Sequence, residues 1–319
     1  MTTTEAQPTP VGRRSWPRVN AFLQQELLLR MRGPRSHLLL TIYLAIASAL
    51  AMLLYIGAVI NNPRGQTGTG TVGTGVLVLL IGLQLVLVCF ITPAFAVGTI
   101  SGERERKTLD LVRTTLVTPS QIVLSKLLSA MGYSLLMILA TVPLYSVAFL
   151  LGGIDVAQVV IALLIIVASA FLFTALGLFI SSRMNSNLGA AILTYAIILG
   201  IVLGMPAVLL IGGPIVRALV TPTAVTASTA TDITPALVIA GVITVLFISV
   251  SPITATLVSQ LSYQETSSVW SVPQPFLTGS STSGLSFPSP FLILVVLYIL
   301  AGLLLLWLTV RRLGQPDRA

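Results

Sequence analysis

Charged side chains make up only 8% of this 319-residue chain, which also holds one cysteine and one histidine. Cys89 lies midway along an apolar run. A lone cysteine excludes a disulfide within the chain and a cysteine-based metal site, and leaves a small buried apolar residue. His37 has no second histidine to pass a proton to. The two lysines, Lys107 and Lys126, do not follow glycine, so the phosphate-binding pattern G-x-x-x-x-G-K-[ST] is absent. The chain therefore has no Walker site for ATP. Clustered carboxylates are missing too, apart from Glu103 and Glu105, so neither a metal site nor an acid–base site is expected.

What the chain has instead is apolar length. Hydrophobic residues are 55% of the total and the mean hydropathy is +1.00. A bilayer core needs about 20 apolar residues per helix. Six charge-free stretches reach that length: 38–60, 76–98, 130–151, 156–180, 187–211 and 290–310. Transmembrane strands would show alternation over about ten residues; these runs are continuous, so helices are expected. A shorter seventh run, 235–250, ends at Ser251-Pro252. The fold class predicted is an all-α polytopic membrane protein. The stretch 16–319 would form a single membrane domain behind a disordered tail, 1–15. The 37 residues before the first run are polar and basic, and that run is too long for a cleavable apolar core, so no secretory leader is expected.

Charge placement sets the orientation. With six spans and a cytoplasmic amino terminus, 15 Lys and Arg residues fall on the cytoplasmic side and only Arg64 and Arg217 fall outside. That asymmetry predicts cytoplasmic termini and an even number of spans in a cell membrane. It also argues against nucleic acid as the partner of the +8 net charge. Were 235–250 to cross, Arg311 and Arg312 would be left outside. It is therefore read as a re-entrant or interfacial segment within an outer region, 212–289.

Ahead of the first span, Val19, Phe22, Leu23, Leu27 and Met31 share one helical face, with Trp16 at one end and Arg30, Arg32 and Arg35 at the other. This pattern predicts an amphipathic helix over 16–35 lying in the cytoplasmic interface. His37 follows as an interfacial residue. Gly68-Thr69-Gly70-Thr71-Val72-Gly73 matches G-x-G-x-x-G, but that pattern binds a dinucleotide only between a strand and a helix. Here it links two apolar runs and is read as a flexible outer loop. Inside the spans Gln84 is the most polar group; Thr141, Thr174 and Thr194 are helix-packing residues. Asp155 and Asp232 lie at or beyond the outer ends, so an ion-coupled secondary carrier lacks its intramembrane carboxylate. Gly200 and Gly204 have the spacing of a close helix contact.

One stretch breaks the apolar monotony. Gly102-Glu103-Arg104-Glu105-Arg106-Lys107-Thr108-Leu109-Asp110 carries six charges in nine residues, within a cytoplasmic loop over 99–129. Residues 101–113 are compatible with a helix edged by Leu109 and Val112. Glu103 with Lys107 and Arg106 with Asp110 have i, i+4 spacing for opposite charges. Thr118-Pro119-Ser120 then breaks the chain and can cap a helix that runs through Lys126 into the third span. On charge alone, this is equally a solvated turn or a docking element.

Residue order favours the second. Ile100-Ser-Gly-Glu103-Arg104-Glu105-Arg106-Lys107-Thr108-Leu109-Asp110-Leu111, then Thr118-Pro119 and Ile122-Val123-Leu124-Ser125-Lys126-Leu127-Leu128, resembles the permease subunits of type-2 ABC transporters. Ser125 replaces the usual glycine, and Lys107 stands where glycine is common. The resemblance covers most of the chain in layout, and about thirty residues in motif. It implies a permease that forms a translocation path and couples through 101–126 to a separate ATPase subunit. That subunit would bind the ATP and magnesium, with a second permease, identical or different, completing an exporter. Glu103, Arg104, Glu105 and Arg106 would make charged contacts, and Thr108, Leu109 and Val112 would pack the docking face. The short connection 181–186 would add a minor contact. The rivals are a membrane scaffold, an intramembrane enzyme and a secondary carrier, and the last two lack reactive or ionisable groups in the spans. Apolar path walls favour a lipidic or amphipathic cargo.

The topology is directly testable. Cysteines placed at Thr69 and Ser281 should react with an impermeant thiol reagent in intact cells, and one at Ser186 should react only after lysis. Labelling of Ser186→Cys without lysis would overturn the map.

Overall fold

The computed structural model describes residues 34–61, 69–106, 118–208, 211, 235–266, 270–273 and 286–314. The tail 1–15 and residues 16–33 of the expected amphipathic helix lie outside the described residues. Six helices are long and apolar enough to span a membrane. In chain order they are α1 (Pro34–Asn61), α2 (Thr69–Glu105), α3 (Pro119–Leu150), α4 (Val156–Arg183), α5 (Asn187–Leu199) and α8 (Pro290–Leu313). A π-helical turn, Gly200–Gly204, carries α5 onward through Val208. Two shorter helices, α6 (Pro235–Val250) and α7 (Pro252–Thr266), precede a small antiparallel ribbon of β1 (Ser271–Pro273) and β2 (Ser286–Pro288). The protein is an all-α polytopic membrane protein.

Helices α2 and α3 outrun the apolar windows that announced them. At 1.5 Å per residue, the 37 residues of α2 span about 55 Å, well beyond an apolar core of about 30 Å. An apolar window marks where side chains meet lipid; the helix itself ends only where its backbone bonds end. Most of the expected loop 99–129 is accordingly helical, as the end of α2 and the start of α3. The start of α3 is set as the sequence foretold. Thr118 is its N-cap, Gln121 Oε1 accepts from the Thr118 amide, and Pro119 occupies the first turn, where its missing N–H costs nothing.

The Gly/Thr repeat is a correction. Thr69–Gly73 is not a flexible loop but the opening of α2. The reason is packing: a Cβ on Gly73 would lie 2.1 Å from the carbonyl oxygen of Gly152. Gly152 and Gly153, with φ of 84° and 75°, form the left-handed turn that joins α3 to α4 against this point.

Helix α4 is the central post. It is the most enclosed span, with 67% of its most apolar window buried against 11% for α1. It packs on α2, α3, α5 and α8 through Ile165, Ile166, Phe173 and Leu178, all essentially inaccessible. Small residues permit the approach. A Cβ on Gly302 of α8 would meet the Phe171 ring at 2.4 Å, and one on Gly177 would lie 2.9 Å from Ala96 Cβ. Gly200 and Gly204, by contrast, make no close helix contact among the described residues: a Cβ on either meets nothing there within 4 Å.

The α6–α7 pair is a helical hairpin. At 16 and 15 residues, each helix is too short to cross. Pro252 has no N–H to offer the Ile248 carbonyl, so the helix breaks at Ser251, and Thr254 Oγ1 takes that carbonyl at 2.8 Å. The Tyr298 hydroxyl donates to Val250 O at 2.7 Å, and Ser251 Oγ lies 3.4 Å from Val202 O in the π-turn. Tyr298 is the ninth residue of α8, so the break sits about 12 Å below the Pro290 end. Helix α7 then returns to that end. Gln260 Nε2 donates to Gln158 O at 2.9 Å, and the Tyr263 hydroxyl donates to the Asp155 carboxylate. This bond holds the Asp155 carboxyl below its ordinary range.

Gly73→Ala should push the α3–α4 turn off α2, at a cost of about 1–3 kcal/mol as an overpacked contact. Gly82→Ala, where no atom lies within 4 Å, should be neutral or stabilising by up to about 1 kcal/mol. Thermal unfolding of the two detergent-solubilised variants separates these outcomes; equal melting temperatures would refute the assigned contact.

Candidate functional site

The charged end of α2 is built by contacts from three neighbouring elements. Lys126 comes from α3, two turns past its cap, and its side chain is only 4% exposed. It is the sole charged residue in Pro119–Leu150. A buried ammonium needs a counter-charge and acceptors for its protons. Lys126 finds both on α2: Nζ lies 2.6 Å from Glu103 Oε1 and donates to the Thr99 carbonyl at 2.9 Å. This longer-range bridge is a partner for Glu103 that local spacing did not suggest. Lys107 and Asp110, the other members of the i, i+4 pairs, lie outside the described residues.

Arg104, one residue on, turns to the connection between α4 and α5. Its Nη1 lies 3.3 Å from Ser182 O, 3.4 Å from Met184 O and 3.4 Å from Asn185 Oδ1. A helix C-terminus leaves carbonyls without intrahelical donors and carries partial negative charge. Arg104 thus caps α4 from another helix. The connection is tight because Ser186 caps α5 in turn, its Oγ accepting from the Gly189 amide at 3.2 Å.

Above the charges, Ser181 of α4 bonds the backbone of α2. Its Oγ donates to Val97 O and accepts from Ser101 N at 2.9 Å and Ile100 N at 3.2 Å. Both Ser181 and Ser101 are fully buried. Gly98 opens the space beside them, since a Cβ there would lie 3.3 Å from Asn187 Oδ1.

The named residues therefore divide. Glu103 and Arg104 are half-buried and engaged within the chain, whereas Glu105 and Arg106 are exposed at the tip. Thr108, Leu109 and Val112 lie outside the described residues. Three contributors escaped sequence reading: Lys126 as partner of Glu103, Ser181, and Asn185. The first left a signal, since a single lysine in a 32-residue apolar helix demands a counter-ion. Ser181 and Asn185 left none, because small polar residues are common at helix contacts and helix ends.

Deeper in the bundle, polar groups pair across α1, α2 and α3. Tyr145 donates to Gln84 Oε1 at 2.5 Å, Thr92 Oγ1 and Ser134 Oγ are 2.8 Å apart, and Tyr43 and Thr141 are 3.2 Å apart. These are neutral, packed pairs of the kind that glue membrane helices. No group of three or more metal-ligating side chains occurs among the described residues.

No curated protein matches the chain at a significant level. A family model described as "ABC-2 family transporter protein" matches residues 58–236, more than half of the chain, from the end of α1 to the first residues of α6. That family implies a permease, typically a non-catalytic membrane subunit, and in general a partner ATPase. The matched segment contains the whole charged end, with Glu103, Lys126, Arg104 and the α4–α5 connection. The six spans, the charged end and this match agree: the chain belongs to the ABC-2 family of transporter proteins.

Proposed function

We propose that this chain is the membrane-spanning subunit of an ATP-driven exporter, coupled to a separate ATPase through residues 101–126. The observation that carries the coupling role is the division at the tip of α2. Glu105 and Arg106 stand exposed, on a base fixed by the Lys126–Glu103 bridge and the Arg104 cap. A solvated turn needs no such anchoring; a lever that transmits force does. In this reading Glu105 and Arg106 make the charged contacts, joined by Thr108, Leu109 and Val112, while Glu103 and Arg104 hold the presenting helix. The charged end faces the cytoplasm, in keeping with the 15-to-2 distribution of basic residues. The partner holds ATP and magnesium, and a second permease copy completes the path. Nucleotide binding draws the two α2 tips together and tilts the spans. Apolar walls suit a lipidic or amphipathic cargo.

The experiment pairs two kinds of substitution in the chain co-expressed with a candidate ATPase subunit. Glu105→Lys with Arg106→Glu should insert and purify normally yet lose partner retention, since like charges across an interface cost several kcal/mol while exposed pairs within the fold are worth about 0–1 kcal/mol. Glu103→Ala should instead lower the stability of the membrane domain by about 3 kcal/mol, because it strands a buried ammonium. Normal pull-down by the Glu105/Arg106 reversal would sink the coupling assignment.

A second expectation follows from the missing P-loop. The purified chain alone should hydrolyse no ATP above the level of a mock preparation, and the complex should. Hydrolysis that follows this chain through every purification step would contradict the division of labour.

A further inference from the structure

In an α-helix the amide of Ser101 bonds to the carbonyl of Val97, four residues back. The Ser181 hydroxyl joins both of these groups from the neighbouring helix, donating to the carbonyl and accepting from the amide. The contact falls two residues before the charged tip begins at Glu103. Three further contacts converge on the same turn. Ser101 Oγ donates to Val97 O at 2.9 Å and lies 3.4 Å from Asn187 Oδ1, and Lys126 takes the Thr99 carbonyl. Below it, Arg104 grips Ser182 O and Met184 O.

We propose that Ser181 is a positioning residue. Its hydroxyl, bonded to backbone groups of α2, yokes the charged tip of α2 to the α4–α5 connection, so that the two membrane-proximal connections move as one body. The physical basis is a set of cross-helix bonds to backbone. Helix α4 holds the α2 backbone through Ser181, and α2 holds the last carbonyls of α4 through Arg104. A force on the tip is then delivered to α4 and α5 directly, without first being carried up α2. The role of the yoke in transport rests on the coupling reading above; its existence does not.

The test is a distance measurement on the full chain in lipid nanodiscs. Spin labels are placed at Glu105→Cys on the tip and Leu188→Cys on the exposed first turn of α5. Cys89 is buried and stays unlabelled. The otherwise wild-type chain should give one narrow distance distribution. Ser181→Ala should widen or split it, and adding Arg104→Gln should widen it further. A serine that only fills space predicts a lower melting temperature with an unchanged distribution in monodisperse protein, and that result would overturn the proposal. Should Ser181→Ala not yield monodisperse protein, Ser181→Cys keeps the volume while weakening both bonds and is read in the same way. In the unlabelled complex, Ser181→Ala should lower partner-stimulated hydrolysis roughly threefold or more with KM for ATP unchanged, the size expected of a coupling element. If the distance changes and hydrolysis does not, the yoke stands and the coupling reading falls; if partner binding is intact and the distance is unchanged, the yoke falls alone.

Discussion

A carbonyl or amide without a partner in hydrocarbon costs several kcal/mol, and this constraint shapes each irregular feature of the fold. Where Pro252 breaks the α6–α7 pair, Thr254 takes the Ile248 carbonyl and Tyr298 takes that of Val250. Where α4 ends, Arg104 reaches across from α2 to its last carbonyls. At the end of α2, Ser181 of α4 bonds both the Val97 carbonyl and the Ser101 amide. At each of these points a neighbouring element supplies a donor or acceptor to helix backbone. They are therefore also the points at which helices are tied together.

This explains which parts of the molecule were legible in the sequence. Six spans, the break at Ser251-Pro252 and the capped start of α3 follow from rules that act along the chain: apolar length, proline, and the Thr118-Pro119-Ser120 cap. The true end of α2 did not, because charge ends an apolar window but not a helix. The Gly/Thr repeat misled for a related reason. Gly68 to Gly73 looks flexible in isolation, and only the approach of Gly152 shows why Gly73 has no side chain. At the charged end, local spacing suggested Glu103 with Lys107. Lys107 lies outside the described residues, and the bridge that is seen, Glu103 to Lys126, spans 23 positions and depends on how α2 and α3 pack. Gly200 and Gly204 illustrate the converse, a spacing that suits close packing beside which no helix sits among the described residues.

The two ends of the bundle are organised by different chemistry. At the Pro290 end the ties are neutral or singly charged: Gln260 to Gln158, Tyr263 to Asp155, Ser289 N to Trp270 O at 2.9 Å. At the opposite end, the ties use full charges of both signs on α2 and α3. A buried ion pair adds little net stability over apolar residues of the same volume, so the second end is not built for strength alone. Its charged groups sit at successive positions of one helix and point to different neighbours, Glu103 to α3 and Arg104 to α4. A helix held in this way resists rotation about its own axis, since any turn that shortens one contact lengthens the other.

The Lys126–Glu103 bridge adds resistance to sliding. A pair of buried charges often contributes no more net stability than apolar residues of the same volume, because desolvation offsets the attraction. Apolar side chains, however, are indifferent to register: Leu127 or Ile100 would find another apolar neighbour after a shift along the helix. The ion pair is not indifferent. Displacing α2 by one turn, about 5.4 Å, would part Glu103 from Lys126 and leave an ammonium in a site with no other carboxylate among its described contacts. Rotation is opposed by the divergent aim of Glu103 and Arg104, and translation by the cost of an unpaired Lys126. What remains to the tip of α2 is motion together with α3, α4 and α5, and a bundle so constrained passes a push at one end to its spans rather than absorbing it in a loop.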